Sequence, residues 1–367
     1  MERRERSLED LGMTLDGFYK DKKVLITGHT GFKGAYLSRM LQILGADVYG
    51  YALDPPTCPS LFELLGLKDS MTSEIGDIRD FNHLESFYSS VKPDIVIHLA
   101  AQPLVREGYR VPRLTYETNV MGTVNLLECA RKHGAKSFLN VTTDKVYYND
   151  GSGRPYSEGD CLNGFDPYSN SKSCSDIITQ SYANSFETGF PISTARAGNV
   201  IGGGDFAADR IVPDCVRAMT GNGKIVLRNP DSVRPYQHVF EPLYAYLMIL
   251  KMQSKNPSLM GGYNVGPDTE DIVTTKSIVD RFKSCWGKEL NIEVVSDNSM
   301  KEAALLRLDN TKIKTVLSLS PMWGIDDAIS KTVEWTKVWA NGDDVRIITD
   351  KQIAEYLSQR GEAITLE

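Results

Sequence analysis

From Lys22 onward, short apolar runs alternate with longer stretches in which apolar positions recur every three to four residues. The runs at 24–26, Thr72–Ile75, 95–99, 137–141 and 192–195, with one more ending at Asp54, have the length and composition of buried strands. Helical patterns separate them, most clearly at 79–91 and 113–133. Strands alternating with helices predict an α/β protein: a Rossmann-like, doubly wound parallel sheet over 20–195. After Arg196 the rhythm breaks into NVIGGGDFAADR and RNPDSVRPYQHVFEP, rich in Gly, Pro and Arg. Such loops carry ligand contacts more often than core. The region 196–340 is expected to form a smaller α+β substrate-binding lobe. That lobe is discontinuous, because segments near 236–266 return to the main sheet. Residues 1–19 read as a frayed leader and 341–367 as a helical tail without chemistry.

Composition narrows the partners. Hydrophobic residues at 41% and charged residues at 24% are a globular balance. The net charge of -7 offers no general attraction for nucleic acid or an anionic membrane, so any anionic ligand needs a local basic site. The six cysteines show neither CxxC nor metal-ligand spacing, which suits reduced thiols in a cytoplasm and predicts no metal site. The longest apolar run, near 243–252, is about half of a membrane span. The opening MERRERSLEDLGM lacks the apolar stretch of a secretion signal.

Chemistry concentrates in three places. The first is the turn Gly28-His29-Thr30-Gly31-Phe32-Lys33-Gly34, which follows an apolar run and opens a helical pattern. Glycines are needed there where the chain turns, where a pyrophosphate meets the backbone and where helix packs on strand. Asp54, at the end of the next strand, is placed to accept from ribose hydroxyls and repel a 2′-phosphate, which favours NAD over NADP. The alternative for Asp54 is a turn residue ahead of Pro55 and Pro56. Asp77 and Ile78 are candidates for the adenine edge. Leu99, Ala100 and Ala101 are candidates for close cofactor passage, or for ordinary sheet packing.

The second place is Tyr168 and Lys172, four apart and so on one helical face. A free tyrosine titrates near 10. A neighbouring ammonium and a cationic nicotinamide would bring the phenol towards use as a base. The third is VTTDKVYYN (141–149), where a charged pair follows an apolar run. Asp144 and Lys145 are there either for chemistry or as an ion pair capping a strand end.

TGHTGFKG, HLAAQ and YSNSK, in this order, resemble the extended short-chain dehydrogenase/reductase superfamily, from about Lys22 to Trp335. VTTDKVYYN, ARAGNVIGGGD, DRIVPD and RPYQHVFEPL are similar to the CDP-glucose branch of its sugar-nucleotide 4,6-dehydratases. The resemblance implies an NAD-dependent lyase acting on CDP-glucose and supplying a deoxysugar for O-antigen/lipopolysaccharide biosynthesis, built as a homodimer through helices near 113–133 and 168–186. It implies that Thr143 holds the sugar 4-OH, that Asp144 is the acid, and that Tyr168 and Lys172 serve the C4 oxidation. Lys145 stands where the commoner pattern has Glu, so it is either the C5 base or an enolate stabiliser. Asn199, Arg234 and Asn264 are implied on the nucleotide side, with Arg210 and Lys224 either joining them or remaining surface charges. Tyr236 replaces the expected tryptophan, and Lys301 departs from the family's histidine. A nucleotide-sugar 4-epimerase, a dehydratase of another nucleoside diphosphate hexose and a non-catalytic NAD-sensing scaffold are the alternatives.

Overall fold

A computed structural model describes residues 14–208, 210–221, 223–227, 229–295 and 306–364. Six strands, β1 (Lys23–Thr27), β2 (Asp47–Ala52), β3 (Thr72–Ile75), β4 (Ile95–His98), β5 (Ser137–Thr143) and β6 (Ile192–Ala197), join Gly262–Val265 in one parallel sheet. Its spatial order is (Gly262–Val265)-β6-β5-β4-β1-β2-β3. The strands read as unbroken apolar runs because both faces are covered. Val24 and Ile26 pack into one core with Ile95, Ile97, Leu139 and Val141. The alternate residues Leu25, Val96 and Phe138 pack into another on the opposite face.

The chain reverses direction across the sheet between β1 and β4, and the crevice beyond such a switch point is where open α/β sheets bind ligands. The helix Phe32–Ile43 (α1) covers one face together with the helix Phe240–Lys255. The segment 240–265 supplies a helix of the main core and an edge strand of the sheet. The helices Ile211–Thr220, Thr275–Trp286 and Ile325–Ala340 enclose a separate core beside the parallel pair Lys224–Leu227 and Asn291–Val294.

Several local expectations change. β5 runs two residues further than its apolar run, carrying Thr143 on its last position, and Asp144–Val146 then forms a single 3₁₀ turn. β2 stops at Ala52, leaving Asp54 exposed in the following loop. The helical pattern at 113–133 is interrupted by a π-helical turn at Glu117–Met121. From Thr14 the leader is no frayed segment: Leu15 and Tyr19 are buried in the main core, and Tyr19 donates to the Leu247 carbonyl (2.8 Å). The tail helix Val345–Gln359 buries Ile353, Tyr356 and Leu357 in that core. The glycines of IGGGD serve packing, because a Cβ at Gly203 would stand 2.3 Å from the Trp335 ring. The leader to residue 13, the stretch 296–305 with Lys301, and 365–367 lie outside the described residues.

Candidate active site

The glycine turn is shaped by close approach. Gly28 has φ 79°, and a Cβ there would lie 2.8 Å from the Ala100 amide nitrogen, so the β1 turn and the loop after β4 touch. A Cβ on Gly34 would come 2.2 Å from the Gly28 carbonyl, which seats α1 against the turn. At Gly31 the only neighbour among the described residues that a Cβ would meet is the Gly28 carbonyl, at 3.4 Å, so that position is comparatively open. Gly31 is the N-cap of α1 and provides no side-chain cap. The first-turn amides are thus free of any capping side chain from that position, which fits a pyrophosphate.

The other sequence-nominated cofactor residues divide. The His29 side chain points into the core, its Nε2 at 2.7 Å from the Ser73 hydroxyl and its ring over Gly50, and burial pulls its pKa down to about 4. Only its backbone remains for a cofactor. Phe32 is half-buried at the start of α1, edge-on to Tyr36. Asp77 is held by Arg79, with Nη2–Oδ2 at 2.6 Å, and Ile78 is buried against Gly122. Leu99, Ala100 and Ala101 are half-buried at the mouth of the switch-point crevice. Asp54 stands exposed beyond β2.

The structure brings Thr143, Asp144, Tyr168 and Lys172 together. Pro167 opens the helix Pro167–Ser185, and the Asp166 side chain caps it by accepting from the Ser169 amide (3.0 Å). Tyr168 therefore sits in the first turn, with Lys172 one turn on. The Lys172 ammonium donates to the Val141 carbonyl (2.8 Å), and burial lowers its pKa to about 8, with Asp176 acting in the opposite direction. Burial raises the Tyr168 phenol to about 12; its hydrogen bond with Thr143 and the positive charge of Arg210 draw it back. The protein's own groups thus keep the phenol protonated at neutral pH.

Asp144 is the opposite kind of group. It is buried, it accepts from the Thr143 hydroxyl (2.9 Å), and burial raises its pKa against the pull of Lys145, Thr143, Arg234 and Lys33. A carboxyl held towards its protonated form suits a proton donor. Gly198 makes the room: a Cβ there would lie 2.9 Å from Pro235 and 3.2 Å from Asp144 Oδ2. Lys145 is half-buried on the same turn.

On the nucleotide side, Arg234 is buried and its charge reaches Asp144. The Asn199 carbonyl accepts from the Gln237 amide (3.1 Å), and its side chain hydrogen-bonds Tyr236, which belongs to the second core. Arg210 pairs with the buried Asp205 at 3.1 Å, and its charge reaches both Tyr168 and Lys33. Lys224 is exposed and pairs with Glu293 at the surface. Asn264 is a correction. It is wholly buried, accepting from the Tyr147 hydroxyl (2.6 Å) and donating to the carbonyls of Tyr156 (2.8 Å) and Asp309 (3.0 Å), so its side chain serves the fold.

Two residues escaped the sequence reading. Lys33, a spacer in the glycine motif, reaches the Tyr246 hydroxyl (3.4 Å) inside the site, and burial together with Arg210 lowers its pKa to about 8. A charged residue between two motif glycines was the available signal. Asn119 sits in the π-helical turn and links the loop after β4 to the Tyr168 helix, accepting from the Gln102 amide (2.8 Å) and donating to the Ser171 hydroxyl (2.8 Å). No spacing marks a π-turn. Among the described residues no cluster of His, Cys, Asp or Glu could hold a metal ion.

A glycine turn at a sheet switch point, with a half-buried tyrosine, a buried lysine and a buried carboxyl beyond it, is the arrangement that the resemblance to an extended short-chain dehydrogenase/reductase predicts. The family described as GDP-mannose 4,6 dehydratase matches residues 25–332. The chain belongs to that family. It is 44% identical over 350 residues to the CDP-glucose 4,6-dehydratase of Salmonella typhimurium, covering 93% of this chain and 98% of the relative. The human dTDP-D-glucose 4,6-dehydratase is 26% identical, over 86% of this chain and 89% of that one. The fold is shared with the Bacillus anthracis dTDP-glucose 4,6-dehydratase solved with NAD (TM-score 0.73, 23% identity, 86% of this chain and 96% of that one). It is shared equally with the Thermotoga maritima UDP-glucose 4-epimerase (TM-score 0.76, 23% identity, 86% and 98%).

Proposed function

We propose that the protein is an NAD-dependent lyase that converts CDP-D-glucose to CDP-4-keto-6-deoxy-D-glucose and water. The observation that carries the reading is Asp144, a buried carboxyl held towards its protonated form and hydrogen-bonded to Thr143, in the same cluster as Tyr168. An epimerase needs no such acid. The 44% identity along nearly the whole chain supports CDP-glucose as the substrate.

The first turn of α1 would hold the cofactor's pyrophosphate, and Asp54 the adenosine ribose. When bound, NAD supplies the hydride acceptor for oxidation at C4 and the hydride donor for C6, plus a positive charge while oxidised. Tyr168, as the phenolate that this positive charge would favour, takes the proton of the C4 hydroxyl, whose oxygen Thr143 holds; Lys172 secures the helix to β5 and adds positive charge. The C4 ketone acidifies the C5 hydrogen. Asp144 gives its proton to the C6 hydroxyl, which leaves as water while the C5–H bond breaks and a C5=C6 double bond forms. Lys145 serves the C5 step, as the proton acceptor or as the cation facing the enolate while another base takes the proton. Hydride return to C6 and a proton returned to C5 complete a redox-neutral turnover. Arg234 and Arg210 face the diphosphate, giving an acidic protein the local cations it needs.

Helices Gly122–His133, with the π-helical turn before it, and Pro167–Ser185 are assigned to a homodimer interface, supported by the half-exposed Met121 of that turn and Ile177. All six cysteines are free, which supports a reducing cytoplasm. The test of function is incubation with the CDP-, dTDP-, GDP- and UDP-linked hexoses, with products identified by mass and NMR. CDP-glucose deuterated at C4 should deliver the label to C6, with solvent hydrogen at C5. Return of the label to C4 would make the protein an epimerase.

A further inference from the structure

Beneath the catalytic cluster lies a second charged group that the reaction does not use. Asp176 follows Lys172 by one turn of the same helix, wholly buried, and its carboxylate accepts five hydrogen bonds. Two come from Arg196 of β6 (Nε and Nη2, both 2.9 Å), a forked pair with 1% and 0% side-chain exposure. The others come from Thr142 (2.9 Å), Thr194 (3.2 Å) and Gln180 (2.6 Å). Arg196 spends its remaining nitrogen on the Tyr147 hydroxyl (2.8 Å) and the Glu158 carbonyl (3.1 Å). Tyr147 donates its own hydroxyl to the Asn264 side-chain oxygen on the edge strand (2.6 Å).

These partners flank the active site on both sides. Thr142 immediately precedes Thr143 and Asp144, and Tyr147 follows their turn by one residue, while Asp176 belongs to the helix of Tyr168 and Lys172. Resting on the dehydratase reading, we propose that Asp176 and Arg196 are positioning residues: their buried pair locks the helix carrying Tyr168 and Lys172 to the strand end carrying Thr143 and Asp144. Proton transfer at C4 and at C6 then occurs in one fixed geometry. The pair also shapes the charge at Lys172. That ammonium faces Lys33 from α1, His98 from β4, the Val141 carbonyl from β5, and Asp176 on its own helix; Asp176 is the carboxylate that supports its charge.

Thr142→Val and Tyr147→Phe each remove one bond to the pair without stranding a charge, so both should fold. Each is expected to lower kcat about 3- to 10-fold with KM near the parent value, the size of the one hydrogen bond each takes from the pair; Tyr147→Phe also gives up its bond to Asn264. Asp176→Asn should lower kcat further and move the high-pH limb of its pH profile to lower pH, because Lys172 loses the charge that supports its own; Asp176→Glu should restore the limb in part. Crystal structures of Thr142→Val and Tyr147→Phe read the geometry without any substrate: Tyr168 should separate from Thr143. Unchanged Tyr168–Thr143 geometry and kcat in both variants, or an Asp176→Asn enzyme that loses stability while its pH limb stays in place, would overturn the role. The dehydratase reading fails separately, if the parent enzyme makes no keto-deoxy product from CDP-glucose.

Discussion

Asp144 and Asp176 are both buried carboxylates, on elements that touch, and their surroundings are opposite. Asp176 faces a guanidinium and accepts five hydrogen bonds. Asp144 accepts from Thr143, and desolvation outweighs the cations around it. Burial therefore does not by itself make a carboxyl reactive. A saturated carboxylate is a strut, because removing its partner leaves an uncompensated charge. An under-satisfied one keeps a proton it can give away.

Changes at the reactive end should be largest in rate. Tyr168→Phe should reduce turnover by about 10²–10⁴-fold, the range for a lost acid-base group, while NAD and substrate still bind in fluorescence titrations. Asp144→Asn should slow turnover by at least about 10²-fold at a different point. NADH absorbance at 340 nm should build up in that variant, because C4 oxidation survives and elimination does not; absence of any NADH would move Asp144 to the first step.

The same two carboxylates should separate in stability. Asp176→Asn should cost about 3–5 kcal/mol in denaturant unfolding, the consequence of leaving Arg196 buried and unpaired. Asp144→Asn should do the reverse within a pH window. Because the folded protein holds the Asp144 proton more tightly than the unfolded chain does, stability falls as pH rises from the unfolded value near 3.9 to the raised folded one. Asparagine escapes that loss, so the variant should gain on the parent as pH rises and converge with it in acid. Equal pH dependence would remove Asp144 from the under-satisfied class. The smallest effect lies farthest away: Asp54→Ala should weaken NAD against NADP by about 10-fold, the worth of one charged hydrogen bond, read from the two dissociation constants.

Local pattern determined much of this protein. The parallel sheet was legible because strands covered on both faces must be apolar without alternation, as at Val24-Leu25-Ile26. The glycine turn was legible because only glycine tolerates the contacts at Gly28 and Gly34. Tyr168 and Lys172 share a helix, so their spacing alone put them on one face. The tertiary structure decided what depends on partners remote in sequence. Asn264 was nominated for the nucleotide and became a strut because Tyr147, Tyr156 and Asp309 converge on it. Lys33 entered the site because Tyr246, more than two hundred residues away, receives it. Leu15 and Tyr19 left the leader for the core by the same kind of long-range contact. Hydrogen-bond saturation and desolvation are set by which strands and helices meet, and no spacing along the chain encodes them. Asp144 and Asp176 therefore look alike in the sequence and differ only once the fold has assigned their neighbours.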